Sequence, residues 1–319
     1  MSDQDQNNNL QQRILQQRTM LTNMLLDPMH RAANRCATVW NDKTLLDAAL
    51  IHTIRQIPYS TYLYAMDLDG RQISANASHD GLIEADFGRD RADRPYMQEL
   101  SKGREMTLSD AYISLRANRP SLTAVQPVFA DDKQIGYLGG DFDLRDLPIT
   151  KELYAEPGRW RQIKGDPAIR GQVFQQTRMP SRLDAKLDQV LPVLEELVTQ
   201  NGAFHVKIHF SSSRATIWFI QDPFRYQILE FDELIDPDIC LVYPHHAYPE
   251  DALVPGENIL PILETFRQLR LADDTIYLRS GSINIFNGIV GLNFSCDGSH
   301  YIPHDQFLAK NSAFWEGLG

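Results

Sequence analysis

The spacing of hydrophobic residues changes at Pro58, and this change constrains the fold more than any other feature of the sequence. Before Pro58, apolar residues recur every three or four positions, as they do on one face of an α-helix. After it, apolar and polar residues alternate, as they do in strands with one buried face. Helices followed by a run of strands predict an α+β fold. The helical positions are Leu10, Ile14, Leu21, Met24, Leu25, Met29, Ala32, Ala33, Cys36, Ala37, Trp40, Leu45, Leu46, Ala49, Leu50 and Ile54.

Proline and cap residues divide the helical region into predicted segments. We expect the first helix to end near Pro28, because proline has no backbone N–H and its ring crowds the preceding turn. A second helix is predicted over residues 29–40. A third is predicted over residues 45–54, with Asn41 or Asp42 as its N-terminal cap.

Two β-hairpins are predicted after the helices. In the first, TYLYAMD and RQISANA flank an Asp69–Gly70 turn, a pair that supplies the positive φ angles of a tight turn. In the second, SLTAVQPVF and QIGYLGGDFDL flank ADDK. A short helix in ADRPYMQELSKGRE and a further strand in LSDAYIS lie between the hairpins. This order predicts about five antiparallel strands fronted by helices.

The length of the chain and its turn-forming residues predict two domains. A chain of 319 residues can bury two separate cores. We expect a first α+β domain over residues 1–150, an irregular connection over 151–182, and a second α+β domain over 183–319. The turn-forming residues that mark the connection are Pro157, Gly158, Gly165, Pro167 and Pro180.

Composition excludes several classes of partner and cofactor. The net charge of −11 disfavours nucleic acid, because phosphate backbones are bound by clustered lysine and arginine. No apolar stretch reaches the length of a membrane helix, and the first residues lack the apolar core of a secretion signal. Cys36, Cys240 and Cys296 are too far apart to suggest a disulfide framework or a zinc motif. We therefore expect a cytoplasmic protein without membrane contact, metal or other cofactor.

Four residues form a candidate ligand site. Arg94 offers a planar guanidinium that matches a carboxylate, and Pro95 places it at the start of a helix, where free backbone amides attract anions. Tyr96 and Tyr112 add a stacking face and a hydroxyl. Asp141, near the end of an apolar strand, can accept a hydrogen bond from an ammonium or hydroxyl group of the same ligand.

The same residues also permit a purely structural interpretation. Arg94 then pairs with Asp90 or Asp93 on the surface, the two tyrosines belong to the core, and Asp141 caps a turn. Residue types alone leave both interpretations open.

The order of motifs in FGRDRADRPYMQELSKGREMTLSDAYISLRANRPSLTAVQPVFADDKQIGYLGGDFDL resembles the Cache sensor family, also called PDC sensor domains. The resemblance runs from about Leu45 to Leu147. It implies a PAS-like antiparallel sheet with a pocket on one face for small acids, amino acids or amines. Carried over by motif, Arg94, Tyr96, Tyr112 and Asp141 would line that pocket, and the protein would be a small-molecule sensor.

The sequence departs from the family in two respects. The amino-acid-binding members have Trp and then Tyr where this chain has Tyr96 and Met97, so a simple carboxylate is as plausible a ligand as an amino acid. Family members usually lie between two membrane helices, which this chain lacks, so a signal would pass to its second half or to an unknown partner. The apolar stripe from Leu10 to Leu25 could pack on its own domain or form a homodimer, which leading helices of the family often do.

Histidine and cysteine residues suggest a rival hypothesis, an enzyme regulated by the first domain. Cys296 could act as a nucleophile beside a histidine, although its place at the end of an apolar strand favours a buried, inert thiol. The candidate histidines are His245 and His246 in YPHHAYPE, and His300 and His304 in NFSCDGSHYIPH. His205 and His209 lie in an alternating strand, where they are too far apart along the chain to share a metal ion.

Overall fold

The structure is a computed structural model that describes residues 3–98, 100, 105–114, 118–147, 177–296 and 298–310, with the backbone alone for residues 3–11 and 98. The chain divides into two compact units, Met1–Ile149 and Thr150–Gly319, which are described separately. The predicted connection lies outside the described residues for most of its length, because they resume only at residue 177.

Two helices open the first unit, where three were predicted. Helix α1 spans Asp3–Ala37 and contains Pro28, so the predicted break at this proline is wrong. Leu25 and Met29 flank Pro28, and both are completely buried. Burial of two such side chains contributes about 3–6 kcal/mol, which outweighs the roughly 3 kcal/mol cost of proline inside a helix. Helix α2 spans Lys43–Ile54, and the Asp42 carboxylate accepts from Leu45 N at 3.1 Å, as expected of a cap.

A seven-stranded antiparallel sheet forms the rest of the first unit, with strand order β3-β2-β1-β7-β6-β4 and with β5 also paired to β6. Both predicted hairpins are present, as β1 with β2 and as β6 with β7. The predicted LSDAYIS strand is divided into the short strands β4 and β5. The strands are β1 (Tyr62–Met66), β2 (Asn76–Ser78), β3 (Gly81–Ile83), β4 (Thr107–Leu108), β5 (Tyr112–Ile113), β6 (Pro120–Ala130) and β7 (Lys133–Asp143).

The turn between β6 and β7 consists of Asp131 and Asp132, whose φ angles are 47° and 62°. Two consecutive positive φ angles match the right-handed twist of the flanking strands, and aspartate tolerates this conformation better than most residues. The turn sets the pairing of β6 with β7 at this end, and a one-residue shift between Val128 and Phe129 then places Thr123 opposite Asp141.

The two faces of this sheet have different neighbours. Helix α1 packs on β6 and β7, where its stripe of Ile14, Leu21 and Leu25 is buried. The stripe thus packs on its own domain. On the other face, the short helix α3 (Pro95–Gln98) contributes Tyr96 to a buried cluster with Tyr64, Met66 and Val125.

The second unit also combines an antiparallel sheet with helices. Its six strands have the order β10-β9-β8-β11-β12-β13. A Cβ on Gly281 of β11 would lie 2.8 Å from the ring of Phe266. The helix that carries Phe266, α6, therefore packs directly on this strand. The strands are β8 (Ala203–His209), β9 (Arg214–Phe219), β10 (Gln227–Glu230), β11 (Leu278–Asn284), β12 (Ile289–Phe294) and β13 (Ser299–Pro303). The helices are α4 (Leu187–Gln200), α5 (Phe231–Leu234), α6 (Ile259–Leu271) and α7 (His304–Ala309). The α+β class expected from the sequence is confirmed.

Arg270 at the end of α6 joins several segments of the second unit. Its guanidinium is completely buried and donates to both carboxylate oxygens of Asp184, at 2.9 and 3.0 Å. It also donates to the carbonyl oxygens of Met179 and Leu278. Since its charge is paired and its N–H groups are bonded, Arg270 is a structural residue of this core.

Across the part of the chain that the structure describes, no helix is both long enough and apolar enough to cross a membrane.

Candidate ligand-binding site

The candidate site lies on the face of the first sheet that α3 covers. Asp141 in β7 pairs with Tyr62 in β1 on one side and with Thr123 in β6 on the other. Tyr64 lies opposite Gly139, and a Cβ on this glycine would be 2.4 Å from the tyrosine ring. Glycine at this position therefore allows the Tyr64 ring to lie across β7 toward Asp141.

One oxygen of the Asp141 carboxylate is held by the sheet. Oδ1 accepts from Tyr64 Oη at 2.9 Å and from Thr123 Oγ1 at 2.8 Å. Oδ2 accepts from none of the described residues. Burial raises the pKa of Asp141 above its usual value of 3.8, while Arg91, the two hydroxyl donors and Arg94 oppose the shift. The site thus presents one carboxylate oxygen with spare capacity to accept a hydrogen bond.

Arg94 immediately precedes α3 and carries a guanidinium without a hydrogen bond or ion pair to any described residue. Its Cζ lies 5.4 Å from the centre of the Tyr112 ring, a cation–π contact. Asp90 accepts instead from the backbone N–H of Ala92 at 2.9 Å. Asp90 and Asp93 are both described, and neither forms the surface pair with Arg94 that the structural interpretation required. A half-buried cation is therefore left to meet another anion.

The two predicted tyrosines occupy different positions. Tyr112 lines the cavity, and its hydroxyl lies 2.9 Å from Thr123 Oγ1. Burial raises the Tyr112 pKa far above the usual value, so the hydroxyl stays protonated. Tyr96 lies behind the cavity wall, with its ring 6.1 Å from that of Tyr112 and its hydroxyl accepting from Arg91 at 3.1 Å.

Arg91 is a site residue that the sequence reasoning missed. Its guanidinium carbon lies 3.8 Å from the centre of the Tyr64 ring, in stacking contact. Nε donates to Gln72 Oε1 at 2.7 Å, and Nη2 donates to Asn76 Oδ1 at 3.3 Å. The run GRDRADRP, with three arginines in six positions, was the available signal, but sequence alone does not say which of the three turns inward.

These groups surround a small enclosed cavity of about 30 Å³. This is room for about two water molecules, so a larger ligand enters only if lining side chains move. Among the three arginines of the described lining, Arg94 is the one whose guanidinium has no hydrogen bond or ion pair with a described residue, and its contact with a described residue is the one with the Tyr112 ring. Arg89 is held in an ion pair with Asp86, at 3.1 Å. The described lining residues are Tyr62, Asn76, Arg89, Arg91, Arg94, Tyr112, Ser114 and Asp141.

The histidines of β8 do not form a metal site. The ring of His205 stacks on Trp218 with 4.5 Å between centres, and burial, followed by the charge of Lys207, lowers its pKa to about 4. His209 Nε2 lies 3.1 Å from Thr216 Oγ1. Within the described ranges, no group of three or more His, Cys, Asp or Glu residues could hold a metal ion.

The expected burial of Cys296 is wrong, because its side chain is exposed after the end of β12. The turn that follows the strand carries the thiol outward, beyond the core. A Cβ on Gly298 would lie 3.5 Å from Cys296 Sγ and 3.3 Å from His300 Nε2, so the two groups flank one glycine. No hydrogen bond joins this thiol to a histidine of the described chain, and the His246 ring bonds instead to the carbonyl oxygen of Ala247. The nucleophile–base contact of the enzyme hypothesis is not formed.

No protein-family model and no curated protein matches the chain. Solved structures similar to it include two of the chemoreceptor Tlp3 of Campylobacter jejuni. The sensory domain with isoleucine bound is 18% identical, with a TM-score of 0.34 over 45% of this chain and 60% of that one. The domain with 4-methylisoleucine is 19% identical, with a TM-score of 0.35 over 49% and 63%.

A third similar structure is the ligand-binding domain of the chemoreceptor CtaA of Pseudomonas fluorescens in complex with L-valine. It is 18% identical, with a TM-score of 0.32 over 41% of this chain and 55% of that one. The chain thus spans less than two thirds of each of these solved domains. Over part of its length the chain is similar to these chemoreceptor sensory domains.

Proposed function

We propose that the first unit binds a small carboxylate or amino acid in the cavity beside α3, and that the protein acts as a small-molecule sensor. The observation that carries this proposal is the arrangement of Arg94 and Asp141. Both line the same cavity, and Arg94 is close enough to lower the pKa of Asp141. Yet the two side chains form no ion pair with each other.

An arginine and an aspartate that face one cavity without neutralising each other suit a ligand with two kinds of polar group. A ligand carboxylate can accept two parallel hydrogen bonds from the Arg94 guanidinium. An ammonium or hydroxyl group of the same ligand can donate to Oδ2 of Asp141. The Tyr112 ring, already in contact with Arg94, provides the apolar wall between them.

The chain further supports a proposed homodimer through α1. One face of this helix is buried, but two of its leucines lie outside that face: Leu15 is 64% exposed and Leu26 is 40% exposed. They lie three turns apart, along the flank of the buried stripe, and in the proposed dimer they pack against the same residues of a second copy. We also propose a cytoplasmic location, supported by Cys36, Cys240 and Cys296 all being free thiols. The downstream partner remains to be identified by capture experiments with liganded protein.

Thermal denaturation of the full chain against a panel of small ligands tests the proposal. The panel pairs each amino acid with the simple acid of the same carbon skeleton, such as alanine with propionate. A ligand that binds only the folded state raises the melting temperature. We expect at least one pair to do so in a concentration-dependent manner, and a panel without any shift would contradict the proposal.

A further inference from the structure

Arg91 is a buried cation that forms no ion pair with a described residue, and it shares the negative charge of Asp141 with Arg94. It is 7% exposed, and its three hydrogen bonds go to the neutral oxygens of Gln72, Tyr96 and Asn76. A buried charge is costly unless an opposite charge compensates it. The stacking contact with Tyr64 offsets only part of this cost.

Arg91 also retains donors for a ligand. A guanidinium has five N–H groups, of which these three bonds use three. Arg91 is one of the residues that line the cavity, as are Arg94 and Asp141. A ligand in the cavity can therefore contact the Arg91 guanidinium, which carries these remaining N–H donors.

The charges of the cavity define the ligand charge that balances them. Among the described residues that line the cavity, Arg91 and Arg94 contribute two positive charges and Asp141 one negative charge. Arg89 does not add to this sum, because Asp86 pairs with it. A ligand with one net negative charge thus completes a neutral site. An ordinary zwitterionic amino acid, with no net charge, would leave one of the two arginines without an opposite charge.

We propose that Arg91 is a second anion-binding residue and that the preferred ligand is an amino acid with two carboxylates, of the aspartate class. This inference rests on the function proposed above. One carboxylate meets Arg94, the ammonium meets Oδ2 of Asp141, and the second carboxylate meets Arg91. Each charged group of the ligand then has an opposite charge in the cavity.

The test compares L-aspartate with L-asparagine, which has the same shape and lacks the second charge. Calorimetry on the full-length protein should show L-aspartate binding about tenfold or more tightly than L-asparagine. L-Alanine should bind with an affinity similar to that of L-asparagine. If L-asparagine or L-alanine binds as tightly as L-aspartate, the role of Arg91 is refuted while the proposed function stands. If none of these ligands and no simple acid binds, the proposed function itself fails.

Two matched variants locate the preference. Arg91→Met should reduce the aspartate-to-asparagine ratio to near one while alanine binding is retained. Arg71→Met removes an exposed arginine of the same unit that does not line the cavity, and should leave the ratio unchanged. Circular dichroism checks that each variant is folded. If Arg91→Met unfolds, Arg91→Gln replaces it and is judged by the same ratio, because it removes the charge and keeps a hydrogen-bond donor. An unchanged ratio in a folded Arg91→Met protein would overturn the proposal.

Discussion

The hydroxyl of Tyr64 donates a 2.9 Å hydrogen bond to Oδ1 of Asp141, across the pairing of β1 with β7. The bond commits one carboxylate oxygen to the sheet and orients the other. It depends on Gly139, since any side chain there would meet the Tyr64 ring. The candidate site is therefore built on two central strands and depends on a residue that has no functional group of its own.

Replacing Gly139 with alanine should disturb both folding and binding. The added Cβ would lie 2.4 Å from the Tyr64 ring, and overpacking of this kind costs about 1–3 kcal/mol. Gly140→Ala is the matched control, because its nearest neighbour is the flexible Met29 side chain at 3.3 Å. We expect urea denaturation to show the larger loss of stability for Gly139→Ala. Equal losses in the two variants would argue against the packing described here.

Arg94→Ala should abolish binding of a carboxylate ligand. Removing one partner of an enclosed charge pair typically costs about 2–5 kcal/mol of binding free energy. Arg94→Lys should restore little of it, because an ammonium cannot reproduce the two parallel bonds of a guanidinium. Calorimetry with the ligand found in the panel measures both effects. Unchanged affinity in Arg94→Ala would remove Arg94 from the site.

Asp141→Asn should separate the two ligand classes. An ammonium-bearing ligand should lose much of its affinity, whereas a simple acid should bind equally well or better once the like charge is gone. Titration of both ligand types against wild-type and Asp141→Asn protein makes the comparison. If both types respond alike, Asp141 does not contact the ligand.

The pH dependence of binding follows from the raised pKa of Asp141. Because this pKa lies above 3.8, an ammonium-bearing ligand should bind more weakly as the pH falls through it and the carboxylate is protonated. The effect on folding has the opposite sign. A raised pKa favours the folded state at low pH, and this contribution is lost as the pH rises through the raised value. The melting-temperature difference between wild-type and Asp141→Asn protein isolates this contribution. As the pH rises, this difference should decrease while the affinity of wild-type protein for an ammonium-bearing ligand increases.

In the second unit, Arg270→Met should be strongly destabilising. It leaves the buried Asp184 carboxylate without its bidentate partner, a loss of about 3–5 kcal/mol for a buried pair. Arg267→Met on the same helix breaks an exposed pair with Asp188 and should cost about 1 kcal/mol or less. Thermal unfolding of the two variants gives the comparison, and similar melting temperatures would contradict a structural role for Arg270.

Self-association through α1 can be tested by placing charges on its exposed side. The double variant Leu15→Glu, Leu26→Glu should lower the mass measured by light scattering, since buried carboxylates would oppose the contact. Leu68→Glu, at a leucine that is 51% exposed on the β1–β2 turn, is the control. If the double variant keeps the wild-type mass, the dimer does not use this side of α1.

The parts of the fold that depend on local chemistry were predictable from the sequence. The Asp42 cap, the Asp69–Gly70 turn and the alternation along β6 and β7 each express a preference of a few adjacent residues. Pro28 was not predictable in this way. Its local cost is outweighed by the burial of Leu25 and Met29 against a sheet formed by residues much later in the chain.

The residues of the candidate site also fall into two groups, those that could be predicted from the sequence and those that could not. Arg94 and Asp141 could be selected because their side chains are chemically suited to a zwitterion and stand in recognisable motifs. Arg91 and Tyr64 could not, since their importance depends on contacts with Gln72 and Gly139 that only the folded sheet creates. The exposure of Cys296 likewise depends on the path of a turn after β12, which its apolar neighbours do not reveal.

The two-residue turn of Asp131 and Asp132 lies at the far end of the hairpin from the cavity, yet together with the register shift between Val128 and Phe129 it determines which side chains of β7 face the cavity. Side chains alternate between the faces of a strand, so inserting one residue in this turn and re-pairing β7 by one position would direct Asp141 toward α1 and Phe142 into the cavity. The side chains that the candidate cavity presents thus depend partly on the length of a distant loop, which contributes no residue to the described cavity lining.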